Sequence, residues 1–249
     1  MARAAVLGRL TWRVATVTAE HDETATARSI TLDVPDWLGH QAGQHVDVRL
    51  TAADGYSAQR SYSIASAPDG TRVELTVQRL VDGEVSPYLA ETLATGDPLE
   101  LRGPIGGWFV WNPANPAPVL LVAGGSGVVP LMAMVRTRAE QANGPPFRLI
   151  YSVRSPDTAL YAAELAQLQA GGSLGVTYVY TRTAPPGAAR PAGRITAEVL
   201  ATSGWPAAVN PSVFVCGPTG FVELAAGLLV DAGHDPHLVK TERFGPTGG

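Results

Sequence analysis

The sequence predicts two units: a six-stranded antiparallel β-barrel of Greek-key type over residues 1–112, then a Rossmann-like α/β unit with a parallel sheet over residues 113–249. Three observations lead there. The chain has 249 residues, more than one average domain holds. Its character changes at Asn112–Pro118, where Pro113, Pro116 and Pro118 each restrict the residue before them and favour a linker over a helix or strand. Before that point the apolar pattern is short and alternating; after it, strand-like and helix-like stretches take turns.

In the first half, Thr11–Thr18, Ser29–Val34, His45–Leu50, Ser61–Ser66, Arg72–Gln78 and Pro98–Leu101 read as strands. Asp54-Gly55 and Pro68-Asp69-Gly70 supply turns between them. One helix is expected over Ser86–Ala94, with Ser86 as its N-cap and Pro87 at the first helical position. In the second half, Val119–Ala123, Phe147–Val153, Val176–Thr181 and Val213–Cys216 read as buried strands. Leu131–Gln141, Leu160–Gln169 and Phe221–Ala232 read as helices, and His237–Glu242 as a last strand. Pro185–Pro191 is a low-complexity loop expected to move. Ligands of such a parallel sheet bind at the carboxyl ends of its strands.

Composition narrows the function. Hydrophobic residues make up 45% and charged residues 16%, which suits packed cores and not disorder. A net charge of -4 argues against a general nucleic-acid binder. The single cysteine, Cys216, cannot build a disulfide, a thiolate zinc site or an iron–sulfur cluster within these residues, and no metal site is expected. The first nine residues lack the apolar block of a signal peptide, and the apolar run Val119–Val135 falls short of the ~20 residues a spanning helix needs. A cytoplasmic protein without membrane contact is the expectation.

Three segments carry chemistry. Val119–Ala123 runs into Gly124-Gly125-Ser126-Gly127-Val128-Val129-Pro130 and then a helix. Glycines there let backbone approach a pyrophosphate, and a helix N-terminus offers free N–H donors. A tight turn holding no ligand has the same pattern, so both readings stay open. Cys216-Gly217-Pro218 follows another apolar strand, where a small side chain could flank a flat ring or be simply buried. In Arg60-Ser61-Tyr62-Ser63, a strand would put Arg60 and Tyr62 on one face, a fork-like cation for phosphate and a ring for stacking, with Ser63 on the other. Taken alone, those four residues fit an ordinary barrel strand, with a surface Arg and a half-buried Tyr, better than a ligand site.

Taken in order, the segments resemble the ferredoxin–NADP reductase family. Arg60-Ser61-Tyr62-Ser63-Ile64 resembles its flavin-binding motif, and Gly83-Glu84-Val85-Ser86 the turn that receives the flavin pyrophosphate. Gly43-Gln44-His45-Val46, Gly103-Pro104-Ile105-Gly106 with Phe109, Gly125-Ser126-Gly127 through Pro130, Cys216-Gly217-Pro218 and Glu242-Arg243-Phe244 continue the likeness from about Thr11 to Gly245. The resemblance implies FAD on the barrel and a nicotinamide dinucleotide on the parallel sheet. It implies that Arg60 binds a flavin phosphate, Tyr62 packs on the isoalloxazine and Ser63 hydrogen-bonds near N5. By the same likeness Cys216 flanks the nicotinamide, Glu242 is the acidic residue near the carboxyl end, and Phe244 stands where relatives carry a ring-stacking Tyr.

Arg154 and Arg182 follow the second and third strands of the second half and fit a 2′-phosphate, which favours NADPH over NADH. The implied activity is electron transfer from NADPH through FAD to a ferredoxin or similar one-electron carrier, by a monomer. Reduction of free flavin or small molecules is the alternative, and a non-catalytic flavin-binding subunit a third reading. FMN in place of FAD is compatible with the same residues. Arg28, Arg72 and Arg79 are candidates for carrier docking.

Overall fold

The computed structural model describes residues 10–245. Its first unit is a six-stranded antiparallel sheet of β1 (Arg13–Thr24), β2 (Ala27–Asp33), β3 (His45–Thr51), β4 (Ser57–Ser63), β5 (Arg72–Gln78) and β6 (Pro98–Ile105). The strand order is β4-β3-β6-β1-β2-β5. Strand β6 therefore returns between β1 and β3, as a Greek-key connection requires. A bridge between Ile64 and Leu75 joins the outer strands, β4 and β5, and curls the sheet into a barrel. Alternation directs Val17, Ile30, Leu32, Val46, Val48 and Leu75 into one buried cluster, each at most 1% exposed.

The second unit is a five-stranded parallel sheet of β7 (Val119–Gly124), β8 (Phe147–Val153), β9 (Leu174–Tyr180), β10 (Ser212–Pro218) and β11 (Val239–Phe244), in the order β11-β10-β7-β8-β9. Helices α1 (Val128–Ala139), α2 (Ala162–Ala170), α3 (Ala197–Ser203) and α4 (Thr219–Asp231) cover it. The order reverses between β7 and β10, so their carboxyl ends flank the crevice where such sheets bind ligands. Helix α1 is buried over its first eight residues, because it packs between sheet and barrel. One apolar cluster accordingly runs from Ala27, Ala42 and Ala65 of the barrel to Leu131 and Val135 of α1. Among the described residues no helix is long and apolar enough to cross a membrane.

The structure corrects the expected elements at several points. Strand β1 runs on to Thr24 and pairs with β2 as far as Ala27, beyond the expected end at Thr18, because its polar far half is zipped to a neighbour. The helix expected over Ser86–Ala94 forms from Ser86 to Thr92: the Leu89 amide donates to the Val85 carbonyl at 3.2 Å, and the rest, Tyr88–Thr92, widens into a turn closed by the Leu93 amide donating to the Tyr88 carbonyl at 3.0 Å. Ser86 does not cap it. Its hydroxyl accepts from the Leu80 amide at 3.1 Å and so closes the preceding loop. Helix α3 was not expected; Thr196 caps it, its side chain accepting from the Val199 amide.

Candidate active site

Between the two units, at the carboxyl edge of the parallel sheet, lies a cleft of about 410 Å³. Gly124, Gly125, Ser126, Ser152, Arg154, Pro218, Phe221 and Phe244 form one wall, and Thr24, Thr26 and Gln78 of the barrel the other. The wall residues of the sheet come from the ends of β7, β8, β10 and β11, the places where its strand order predicts a ligand.

Gly125 has φ +54, a conformation that side chains resist, and it turns the chain from β7 toward α1. Gly127 stands behind the cleft wall. A Cβ there would collide with the Cys216 carbonyl, so glycine lets the start of α1 close against β10. No side chain caps α1, but the Val128 N–H already donates to the Gly125 and Ser126 carbonyls and Pro130 has none, so the backbone offered at the cleft is that of Gly125 and Ser126 in the turn before the helix. Phe221, which sequence reasoning missed, lies against both Gly124 and Gly217: a Cβ on either would come within 2.6–2.8 Å of its ring. The only signal was its place just after Cys216-Gly217-Pro218-Thr219-Gly220.

Strand register links four residues across the junction. Ser63, half-buried, opposes His45 in the β4–β3 ladder. His45 Nδ1 lies 3.9 Å from Glu242 Oε1 on the other unit. Glu242 in turn opposes Cys216 in the β11–β10 ladder. Burial pushes the Glu242 carboxyl up to about 7 and the Cys216 thiol well above its usual value, with Glu242 adding to the latter. Burial lowers His45, against the pull of Asp47. Glu242 Oε2 is buried without a hydrogen-bond partner among the described residues. His45 was noted in sequence as the start of a strand and as part of Gly43–Val46, not as a site residue; its place in this series depends on a contact between units.

On the barrel, Arg60 pairs with Glu84, whose other oxygen accepts from the Tyr56 hydroxyl at 2.6 Å. Those two partners, Tyr56 first, hold the Glu84 carboxyl below its usual range. Tyr62 packs against the barrel core, and burial pushes its phenol up to about 12. Ser61 is not gathered with them. Its hydroxyl donates to Asp47 at 2.6 Å, where Gln59 and Arg102 also converge. In the next segment Gly83 and Ser86 shape the loop, since a Cβ on Gly83 would fall 2.7 Å from Ser86 Oγ. Val85 anchors the loop in the core, fully buried. Gln44 Nε2 donates to the Gly106 carbonyl at 2.6 Å, tying together two of the sequence segments.

Of the two arginines, Arg154 lines the cleft and Arg182 does not; Thr181 is there instead. Phe244, 36% exposed, lines the cleft opposite Pro218 in the β11–β10 register. The site thus offers a helix N-terminus with glycine approach for one phosphate group, an arginine for a second, and exposed aromatic faces. That donor set suits two nucleotide cofactors meeting at the junction.

Comparison with known proteins agrees. The model of the oxidoreductase FAD-binding domain matches residues 11–110, and that of the oxidoreductase NAD-binding domain matches residues 121–227. Ferredoxin--NADP reductase B of Sorangium cellulosum is 37% identical over 198 residues, covering 76% of this chain and 78% of the relative. The ferredoxin reductase component of 3-ketosteroid-9-alpha-monooxygenase from Rhodococcus rhodochrous is 31% identical over 244 residues, 95% of this chain and 66% of the relative. Among solved structures, the FAD/NAD-binding domain of nitric oxide dioxygenase from Vibrio cholerae superimposes with a TM-score of 0.84 at 28% identity, over 94% of this chain and 99% of that one.

Proposed function

This chain belongs to the ferredoxin–NADP reductase family of FAD- and NAD-binding oxidoreductases, and from that premise we propose that it passes electrons from NAD(P)H through bound FAD to a separate ferredoxin-type carrier. The observation that carries the proposal is the cleft whose two walls come from the two cofactor units. When bound, NAD(P)H supplies a hydride and FAD accepts it and releases the electrons one at a time. The protein's part is to hold, orient and keep water out.

In this reading residues 1–112 hold FAD and residues 113–249 hold the nicotinamide dinucleotide. Arg60 exchanges Glu84 for a flavin phosphate, and the Gly83–Ser86 loop presents its backbone beside it. Tyr62 and Phe244 pack on the flavin ring, and Ser63 donates toward N5. Gly125 and Ser126, at the start of α1, take the dinucleotide pyrophosphate, supported by Gly127. Cys216, with Gly217 and Pro218, flanks the nicotinamide as a neutral thiol, while Glu242 holds a proton near neutral pH at the junction. Arg154 favours the 2′-phosphate of NADPH.

These 249 residues include one cysteine and cannot themselves hold an iron–sulfur cluster, so the proposed carrier lies outside them. Relatives named as reductase components of oxygenase systems support a carrier or oxygenase partner. The test is the absorption spectrum and mass of the flavin that co-purifies, followed by anaerobic NADPH and NADH titration. Assays with ferredoxin, cytochrome c and free flavin as acceptors complete it. Tightly held FAD with rapid one-electron transfer to ferredoxin is the expected result. A colourless protein that binds no FAD overturns the proposal; faster turnover of free flavin than of ferredoxin selects the alternative activity.

A further inference from the structure

Behind the cleft a network of polar side chains ties the two units together. Arg136 on α1 donates through Nη1 to Glu74 of β5 at 2.6 Å and to the carbonyl of Ala65 at 3.0 Å. Its Nε and Nη2 bind both carboxylate oxygens of Glu164 on α2, at 2.8 and 2.7 Å. The Glu74 side chain is 6% exposed and that of Arg136 20%, so neither charge is left to water. The guanidinium also lies 5.1 Å from the centre of the Tyr161 ring.

Tyr161 makes the second tie. Its backbone takes the left-handed conformation at φ 56, unusual for a residue with a large side chain, and its N–H donates to Glu23 Oε2 of β1 at 2.9 Å. Its hydroxyl donates to Thr76. Thr76 and Ser29 share a hydrogen bond of 2.7 Å, and Ser29 donates to Glu23 Oε1 at 2.7 Å. With Thr76 donating to Ser29, all hydroxyls point the same way around a ring that starts and ends on Tyr161, an arrangement in which each bond polarises the next.

None of these side chains lines the cleft, but three of them, Glu23, Thr76 and Tyr161, stand within two residues of one that does, and Arg136 reaches the first two through Tyr161 and through Glu74 on the same strand as Thr76. Glu23 precedes Thr24, Thr76 lies two residues before Gln78, and Tyr161 follows Leu160. The apolar cluster also crosses the junction, but its attraction is non-directional, whereas the hydrogen bonds of the network add directional constraints. We infer that Arg136 and Tyr161 are positioning residues for hydride transfer, holding the two cleft walls at the separation that brings nicotinamide and flavin into reacting distance. The inference rests on the function proposed above.

The test is stopped-flow flavin reduction at saturating NADPH, with hydrogen–deuterium exchange on the same FAD-loaded proteins. Arg136→Met is expected to slow reduction ~10–100-fold, the scale of an ångström-sized misplacement, while the dissociation constant for NADPH changes far less. Arg136→Lys, which keeps the charge but not the fork, is expected to recover part of the rate. Tyr161→Phe, a change of one hydroxyl, covers the case in which Arg136→Met fails to fold, and is expected to slow reduction several-fold. In each variant faster exchange should be confined to the wall segments around Thr24 and Leu160. Parent-like rates in folded Arg136→Met and Tyr161→Phe overturn the inference, as does exchange that rises throughout the chain. If the parent itself is not reduced by NADPH or NADH, the function proposed above fails instead, and exchange at the walls still reports whether the network fixes them.

Discussion

Nδ1 of His45 stands 3.9 Å from Oε1 of Glu242, and the two residues belong to different units of the fold. The distance is too long for a hydrogen bond. Burial lowers the imidazole and raises the carboxyl to about 7, so both are driven toward neutral forms and the contact is no salt bridge near neutral pH. A protonated carboxyl beside a neutral imidazole is a place where a proton can be stored between the units.

That state has a measurable consequence for stability. The folded pKa of Glu242 lies above its value in the unfolded chain, so the fold holds this proton more tightly than the unfolded chain does. The resulting stabilisation is complete below about pH 4.5 and is lost as pH rises through about 7. It amounts to roughly 3 kcal/mol. His45, whose pKa is lowered, acts in the opposite sense over part of that window, so the test compares the parent with Glu242→Gln. The difference in Tm between the two proteins should fall steadily from pH 4.5 to 7.5, and a constant difference would show that Glu242 is not buried as described.

Arg60 and Glu84 give the second prediction. In the function proposed above a flavin phosphate displaces the Glu84 carboxylate from the Arg60 guanidinium, so that carboxylate competes with the ligand. Arg60→Ala should weaken FAD binding ~10–100-fold, the worth of a charged hydrogen bond. Glu84→Gln should tighten it, most clearly at low salt, where attraction between exposed charges is least screened. Both are read by titrating apoprotein with FAD and following flavin fluorescence. Weaker binding in Glu84→Gln would mean that Glu84 supports the site instead of competing for it.

What the sequence disclosed follows the range of the forces involved. Alternation and strand–helix rhythm are local, so both sheets and the Pro113–Pro118 linker were legible. The glycine turn at Gly125–Gly127 was legible because an unusual φ and a close approach to Cys216 leave a local mark. The helix from Ser86 was legible too, but not its widening at Tyr88–Thr92 nor the loss of the Ser86 cap, because Ser86 is engaged by Leu80, six residues back. His45 near Glu242, and Tyr161 on Glu23, join residues far apart in sequence whose neighbours carry no periodic signal. Ser61 was grouped with Arg60 by adjacency, but alternation places it on the opposite face, with Asp47.

The arginines separate in the structure and should separate in kinetics. Arg154 lines the cleft and Arg182 stands outside it, although the Arg182 amide donates to the Arg154 carbonyl at 2.9 Å. Arg154→Ala should raise KM for NADPH ~10-fold or more with little change for NADH, the mark of a lost charged contact to the extra phosphate. Arg182→Ala should change both far less. Equal effects of Arg154→Ala on the two dinucleotides would remove the preference for NADPH.

Under the proposed function, Ser63 is the residue at which holding the flavin and assisting its reduction can be separated by experiment. It ends β4, and the next residue, Ile64, is fixed by its amide donating to the Gln44 carbonyl at 3.0 Å and by the bridge to Leu75 that joins the outer strands. The backbone around Ser63 is therefore set by its neighbours, and removing the hydroxyl leaves Arg60 and the barrel core in place. Ser63→Ala should keep FAD at full occupancy yet slow anaerobic reduction by NADPH ~10-fold, about the worth of one hydrogen bond. Ser63→Thr, which keeps the hydroxyl, should stay near the parent rate. Loss of FAD from Ser63→Ala would make the residue a holder like Arg60, and an unchanged rate with bound FAD would leave the proton at the junction to Glu242 and His45.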